Sequence, residues 1–174
     1  MRVERPLTAY NKITTKQLTV TGLLIALNLV LNQFTISFGT TLEIGFAFLP
    51  IALLGYLYGP LNTGIAASIG DVIGFLLRPN GFFFPGFTLN ALVMGVIYGL
   101  LLHNKKVTLP RVAIAVLLVT VIVNLIMTPI WLNIMYGTYF FAVPRVIKCI
   151  LLYPMEVSLL YMVLRKFTKV ESRK

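Results

Sequence analysis

The stretch LPIALLGYLYGPLNTGIAASIGDVIGFLL, residues 49–77, decides how this chain folds. Its one charge is Asp71, and Gly59-Pro60 divides it into two apolar runs. Proline lacks a backbone N–H and clashes with the preceding turn of a helix. Gly59-Pro60 therefore reads as the boundary between two helices rather than the middle of one. Two charge-poor helices in immediate succession suit a lipid bilayer better than water.

The rest of the chain agrees. Of 174 residues, 58% are hydrophobic and only 11% charged. Soluble domains carry about 25% charged residues, so this chain lacks the polar surface to coat a water-soluble particle. It is expected to be a single transmembrane domain over residues 1–174. Charge-free runs place the spans at about 18–33, 46–58, 61–77, 86–102, 112–133 and 144–164. The second is shorter than the ~20 residues of a full crossing, so it starts near Glu43 or lies sheltered in the bundle. The apolar run from Leu18 is too long, and lacks the small-residue pattern, for a cleaved signal.

The net charge of +10 is not spread evenly. Arg2, Arg5, Lys12 and Lys16 precede the first span. Lys105, Lys106 and Arg111 sit between the fourth and fifth, and Arg165, Lys166, Lys169, Arg173 and Lys174 follow the sixth. Basic flanks mark cytoplasmic loops and attract anionic lipid, so no nucleic-acid partner is expected. With all three clusters inside, an even number of crossings must lie on each side of His103. The expected fold class is an all-α integral membrane protein, a six-helix transmembrane bundle with both termini cytoplasmic, in a bacterial cytoplasmic membrane.

Enzyme chemistry finds little support. The single histidine, His103, lies in a basic loop, where a solvated structural role is the default, and no H-E-x-x-H or metal-ligand spacing occurs. The serines have no neighbouring base, and the one cysteine, Cys149, makes no disulfide or cluster. No phosphate-binding G-x-x-x-x-G-K-[ST] loop is present, so the chain does not itself hydrolyse ATP by that chemistry. No cofactor is called for.

Away from the basic flanks, Arg78, Arg145 and Lys148 balance Glu43, Asp71 and Glu156. Ionisable groups within spans mark function or a buried pair. Arg145 and Lys148, three apart, share one face of the last helix. Glu156 falls on that face about 16 Å deeper, too far to pair with Arg145. Two readings stand: salt bridges knitting the bundle, or cations gripping an anionic ligand from outside. The outer loops, 35–46, 78–87 and 135–145, are rich in Phe, Tyr, Gly and Thr. They suit an interfacial aromatic belt or a cover folded over a pocket. In the first helix, Gly22 and Ala26 make a small-xxx-small strip for close helix approach. Asn28 and Asn32 form a polar strip facing the bundle or a pocket.

Taken together with LPIALLGYLYGPLNTGIAASIGDVIGFLL, FFPGFTLNALVMGVIYGLLL (83–102) and TPIWLNIMYG (128–137), these features resemble the substrate-binding S components of energy-coupling factor (ECF) vitamin transporters. The wording is similar to the folate-specific branch. The resemblance implies a subunit that binds its vitamin from outside with high affinity. It then topples on a transmembrane scaffold subunit driven by two cytoplasmic ATPase subunits. It also implies that Gly22 and Ala26, matching the family's Ala-x-x-x-Ala strip with Gly in first place, contact the scaffold. For folate, a pterin and an aminobenzoyl ring suit aromatic walls, with Phe82, Phe84, Phe87, Trp131 and Tyr139 as candidates. Pterin edges suit Asp71, Asn90 and Asn133, and the glutamate carboxylates suit Arg145 and Lys148. Alternatives are an S component for another vitamin, an autonomous ion-coupled carrier, and an assembly subunit without a ligand.

Overall fold

The computed structural model of the protein describes residues 14–34, 36–38, 42–77, 83–137 and 143–171. Helix α1 (Thr15–Gln33) opens at Thr14, whose backbone N–H donates to Gln17 Oε1 at 3.0 Å. That bond satisfies one amide left over at the helix start. Strands β1 (Ile36–Phe38) and β2 (Leu42–Ile44) follow as an antiparallel pair with Ser37 opposite Glu43. This short ribbon is an addition to an architecture that is otherwise helical, as expected. Ile36, Phe38, Leu42 and Ile44 alternate with polar residues at a period of two, which a strand satisfies and a helix does not.

Helices α2 (Phe48–Leu77), α3 (Pro85–Leu102) and α4 (Leu109–Val119) come next. A π-helical segment (Thr120–Met127) continues α4 into α5 (Thr128–Tyr136), and α6 (Val143–Glu171) ends the order. The quoted stretch is one helical element interrupted at Gly59, where φ is 79° and ψ −177°. Only glycine adopts such a φ without strain. Packing against α3 gives the direction of each arm. Gly55 lies against Tyr98 and Gly99, and Gly59 against His103, so residues 48–58 run with α3. Pro60 meets Gly99, Gly64 meets Leu92 and Val96, and Asp71 meets Thr88, so residues 61–77 run against it. The chain doubles back at Gly59-Pro60.

Side chains complete the reversal. Asn62 Nδ2 donates to Tyr58 O at 3.1 Å, and Thr63 Oγ1 to Gly59 O at 2.7 Å. Both side chains add a bond to a carbonyl at the break, which tightens the start of the second arm. His103 Nδ1, which must carry the proton because a carbonyl only accepts, donates to Tyr56 O at 3.1 Å. This histidine is half-buried against the turn rather than solvated. Its role is to pin the end of α3 to the reversal. Glycine makes the seam close: a Cβ on Gly95 would press on the backbone of Thr63 and Gly64, and one on Gly99 would overlap Pro60 and Gly59.

The π-helical widening has a local cause. Pro129 cannot donate, and its ring crowds the carbonyl four residues back, so the turns ahead of it loosen. Val123 O accepts the Thr128 N–H, and Thr128 Oγ1 donates to the same oxygen at 2.7 Å, a second bond that ties the end of the segment. α5 stops at Gly137, whose left-handed φ of 64° lets its N–H reach Asn133 O at 2.8 Å. Around Pro154 in α6, Ser158 Oγ donates to Pro154 O at 2.7 Å.

Among the described residues, four helices are long and apolar enough to cross a membrane: Phe48–Leu77, Pro85–Leu102, Leu109–Met135 and Val146–Lys169. Leu61, Ile65, Ile69, Ile73 and Leu76 form an exposed ridge along α2, as a lipid-facing surface would. The tightest packing lies toward the basic loop, where Tyr98, Leu102, Val112, Val116, Leu160 and Leu164 are buried. The opposite end is hollow.

Candidate functional site

A cavity of about 610 Å³ opens at that hollow end, between α1, both arms of α2, the start of α3 and α5. Its volume falls in the range of pockets for small organic molecules. One wall comes from a single face of α2, with Ala67, Gly70, Asp71, Gly74 and Phe75 at helical spacing. The small residues there admit α1: Ile25 and Asn28 approach Gly70, and Leu29 approaches Gly74. α1 contributes Asn28, Asn32 and Gln33. Asn28 is held by a bond from its Nδ2 to Ala47 O at 2.6 Å, which ties α1 to the entry of α2.

The opposite wall is aromatic. Phe83, Phe84 and Phe87 enter from the start of α3, with Phe48 and Phe75 across from them. Phe75 and Phe83 meet edge to face at 5.2 Å, and Phe84 and Phe87 at 6.1 Å. Behind Phe84 stands Trp131, 5.7 Å away. Gly86 fills the gap between them, and any Cβ there would collide with both rings. Trp131 Nε1 donates to Asn90 Oδ1 at 2.9 Å, Asn90 Nδ2 to Thr128 Oγ1 at 3.0 Å, and Thr128 to Val123 O. This relay runs from the aromatic wall into the π-helical segment and fixes the wall's orientation.

Among the described residues, Asp71 is the one charged group lining the cavity. Its Oδ2 accepts from Thr88 Oγ1 at 2.8 Å, which locks the carboxylate between α2 and α3. A flat, donor-bearing ring fits such a site: rings against the phenylalanines, N–H groups toward Asp71, and amide groups of Asn28, Asn32 and Gln33 to complete the fit. Among the described residues, no group of three or more His, Cys, Asp or Glu side chains is placed to hold a metal ion.

The structure brings Asp71, Phe84 and Phe87 to the cavity. Trp131 and Asn90 stand one layer behind it, as supports. Asn133 is exposed and outside the lining; its carbonyl serves the α5 cap. Lys148 is half-buried on α6 and also outside the lining. Phe82 and Tyr139 lie outside the described residues, as do the Arg145 side chain and most of the three aromatic loops. Gly22 and Ala26 are exposed on α1, and a Cβ on Gly22 would meet nothing within 4 Å. Sequence reasoning missed Gln33, Phe48, Phe75, Phe83, Met94 and Met135. Phe75 was within reach, being four residues after Asp71 on the same helical face.

The relay yields a first expected result. Asn90→Ala leaves the Trp131 N–H without its acceptor in a buried place, at a cost of about 1–3 kcal/mol. Denaturant unfolding in detergent should show that loss. Emission from Trp131, the chain's single tryptophan, should shift as the ring loses its tether. Unchanged stability and emission would show that the relay carries no load.

Comparison with known proteins gives a consistent result. The family described as "ECF transporter, substrate-specific component" matches residues 16–166. The folate transporter FolT of Clostridium novyi (strain NT) is 41% identical over 140 residues, 79% of this chain and 81% of its own. The folate transporter FolT of Leuconostoc mesenteroides subsp. mesenteroides is 37% identical over 164 residues, 89% of this chain and 88% of its own. A crystal structure of FolT bound with folic acid superposes with a TM-score of 0.78 at 42% identity, covering 84% of this chain and 90% of that one.

Proposed function

The chain belongs to the family of ECF transporter substrate-specific components, and on that premise we propose that it binds folate in the cavity at the start of α3. The observation that carries this reading is the likeness, over most of both chains, to FolT bound with folic acid. The chemistry of the cavity suits it. The pterin lies against Phe84 and Phe87 and directs its ring N–H and amino group to Asp71. The aminobenzoyl ring follows the aromatic wall outward. The two glutamate carboxylates reach Arg145 and Lys148 at the start of α6, where the cations share a helix face.

In the membrane the chain crosses six times. α2 counts twice because it reverses at Gly59-Pro60, and α1, α3, the α4–α5 rod and α6 count once each. The first arm of α2, residues 48–58, is about 16 Å long at 1.5 Å per residue, roughly half the hydrocarbon thickness. Its burial against α3 supports a sheltered position. Six crossings put both termini on the side of the basic 103–111 loop, the cytoplasm, and the cavity on the outside. Delivery follows by toppling on a scaffold subunit that packs on Gly22 and Ala26, with energy from two ATPase subunits.

Folate titrated into the purified protein should bind tightly, and thiamine, a cation, should not compete. Replacing Arg145 and Lys148 together by Gln should weaken folate binding at least about tenfold, the equivalent of roughly 1.4 kcal/mol. An unchanged affinity would remove the two cations from the site and leave the aromatic wall and Asp71 to carry it. Failure of folate to bind at all would overturn the reading itself.

A further inference from the structure

A second cavity, of about 370 Å³, lies at the opposite end of the molecule, where the α2 reversal, the α3–α4 loop and the end of α6 meet. Lys105, Lys106, Asn104, Tyr56 and Thr168 line it, and among the described residues no carboxylate belongs to its lining. Its groups are mostly donors. Lys105 Nζ is held at 2.8 Å from Leu100 O, which fixes the ammonium and leaves it two further N–H groups. Thr168 has one hydroxyl proton, directed to Leu164 O at 2.8 Å. With that proton committed, the 3.4 Å contact between Thr168 Oγ1 and the Tyr56 hydroxyl is made by the tyrosine proton, so the donors left for a ligand are the lysines and the Asn104 amide. Asn104 takes a left-handed φ of 53°, uncommon for a residue with a side chain, and turns the loop so that both lysines border the same hollow.

Two ammonium groups and an amide around a hollow with no carboxylate among the described residues of its lining make a receptor for a compact oxyanion. The folate cavity offers the reverse, a carboxylate and an aromatic wall. We propose that this second cavity binds a phosphate group, either the headgroup of an anionic lipid or a soluble phosphate. Its place at the border of the apolar helices, on the basic side of the molecule, is where anionic headgroups gather. The proposal does not depend on folate being the substrate.

The test uses the full chain in two settings. In nanodiscs of phosphatidylcholine with one-tenth phosphatidylglycerol, native mass spectrometry should find one phosphatidylglycerol retained per protein. Lys105→Gln/Lys106→Gln should cut that occupancy at least tenfold. Arg165→Gln/Lys166→Gln, also on the basic side but outside the cavity, should leave it unchanged. In lipid-free neutral detergent, stabilisation of the wild type by inorganic phosphate, absent from the Lys105/Lys106 variant, would identify a soluble phosphate as the source instead. Lys106→Gln alone preserves the Lys105–Leu100 bond and gives a second reading should the double variant elute aggregated. The proposal is overturned if neither probe separates the wild type from these variants, or if the Arg165/Lys166 control loses as much.

Discussion

Replacing Asp71 by Asn should weaken folate binding about a hundredfold while leaving the unliganded fold intact. A carboxylate accepts two N–H donors of a pterin edge at once, whereas an amide presents one acceptor and one mismatched donor. Hydrogen bonds to a charged partner are each worth about 1.5–3 kcal/mol, and about 2.8 kcal/mol corresponds to a hundredfold. The Thr88 hydroxyl can still donate to the amide oxygen of the variant, so the α2–α3 contact survives. Isothermal titration supplies the affinity, and denaturant unfolding without ligand supplies the control. A loss below threefold would place the pterin elsewhere in the cavity.

The second large effect concerns the fold. Gly99→Val should destabilise the isolated protein by more than about 3 kcal/mol, because the added Cβ overlaps the backbone of Gly59 and Pro60. No rotamer avoids the clash, since the Cβ position is set by the main chain. α3 must move away from the reversal, which breaks the His103 bond to Tyr56 and opens the buried cluster around Tyr98 and Leu102. Gly22→Val is the matched control: a Cβ there meets nothing, so the isolated protein should unfold at an unchanged denaturant concentration. On the proposed docking of a scaffold subunit at Gly22 and Ala26, the same change should impair assembly, which co-purification of that subunit would measure. A stable Gly99→Val protein would mean that the seam is looser than its geometry.

How much of this was legible in the sequence depended on range. The Gly59-Pro60 reversal, the helix limits near Gln33, Leu77 and Leu102, and the basic loop follow from local chemistry, and the structure has them. Proline and glycine act on their own neighbours, so a sequence states their effects directly. Asp71 is legible because a carboxylate in an apolar helix is conspicuous, and Phe84 and Phe87 because the resemblance calls for aromatic walls and a Phe-rich loop supplies them. The depth of Trp131 and Asn90 was not legible. Whether an aromatic lines a cavity or supports the one that does is settled by which helix lies in front of it. The β1–β2 pair is only faintly legible, because three residues per strand are too few for an alternating pattern to separate a strand from a loop.

The glycine seam between α2 and α3 limits what this chain can do alone. Most packed helices slide by letting side chains change rotamer, but backbone set against backbone has no such freedom. The two arms of α2 and α3 therefore form a single wedge with no internal hinge on which to open the cavity toward its other end. A subunit built this way has one doorway. By itself it should load and unload ligand at the same face indefinitely, yielding a binding isotherm in proteoliposomes but no net accumulation. On the proposed delivery by toppling, the entire wedge is turned over to present that doorway to the other compartment, and the scaffold subunit supplies the torque.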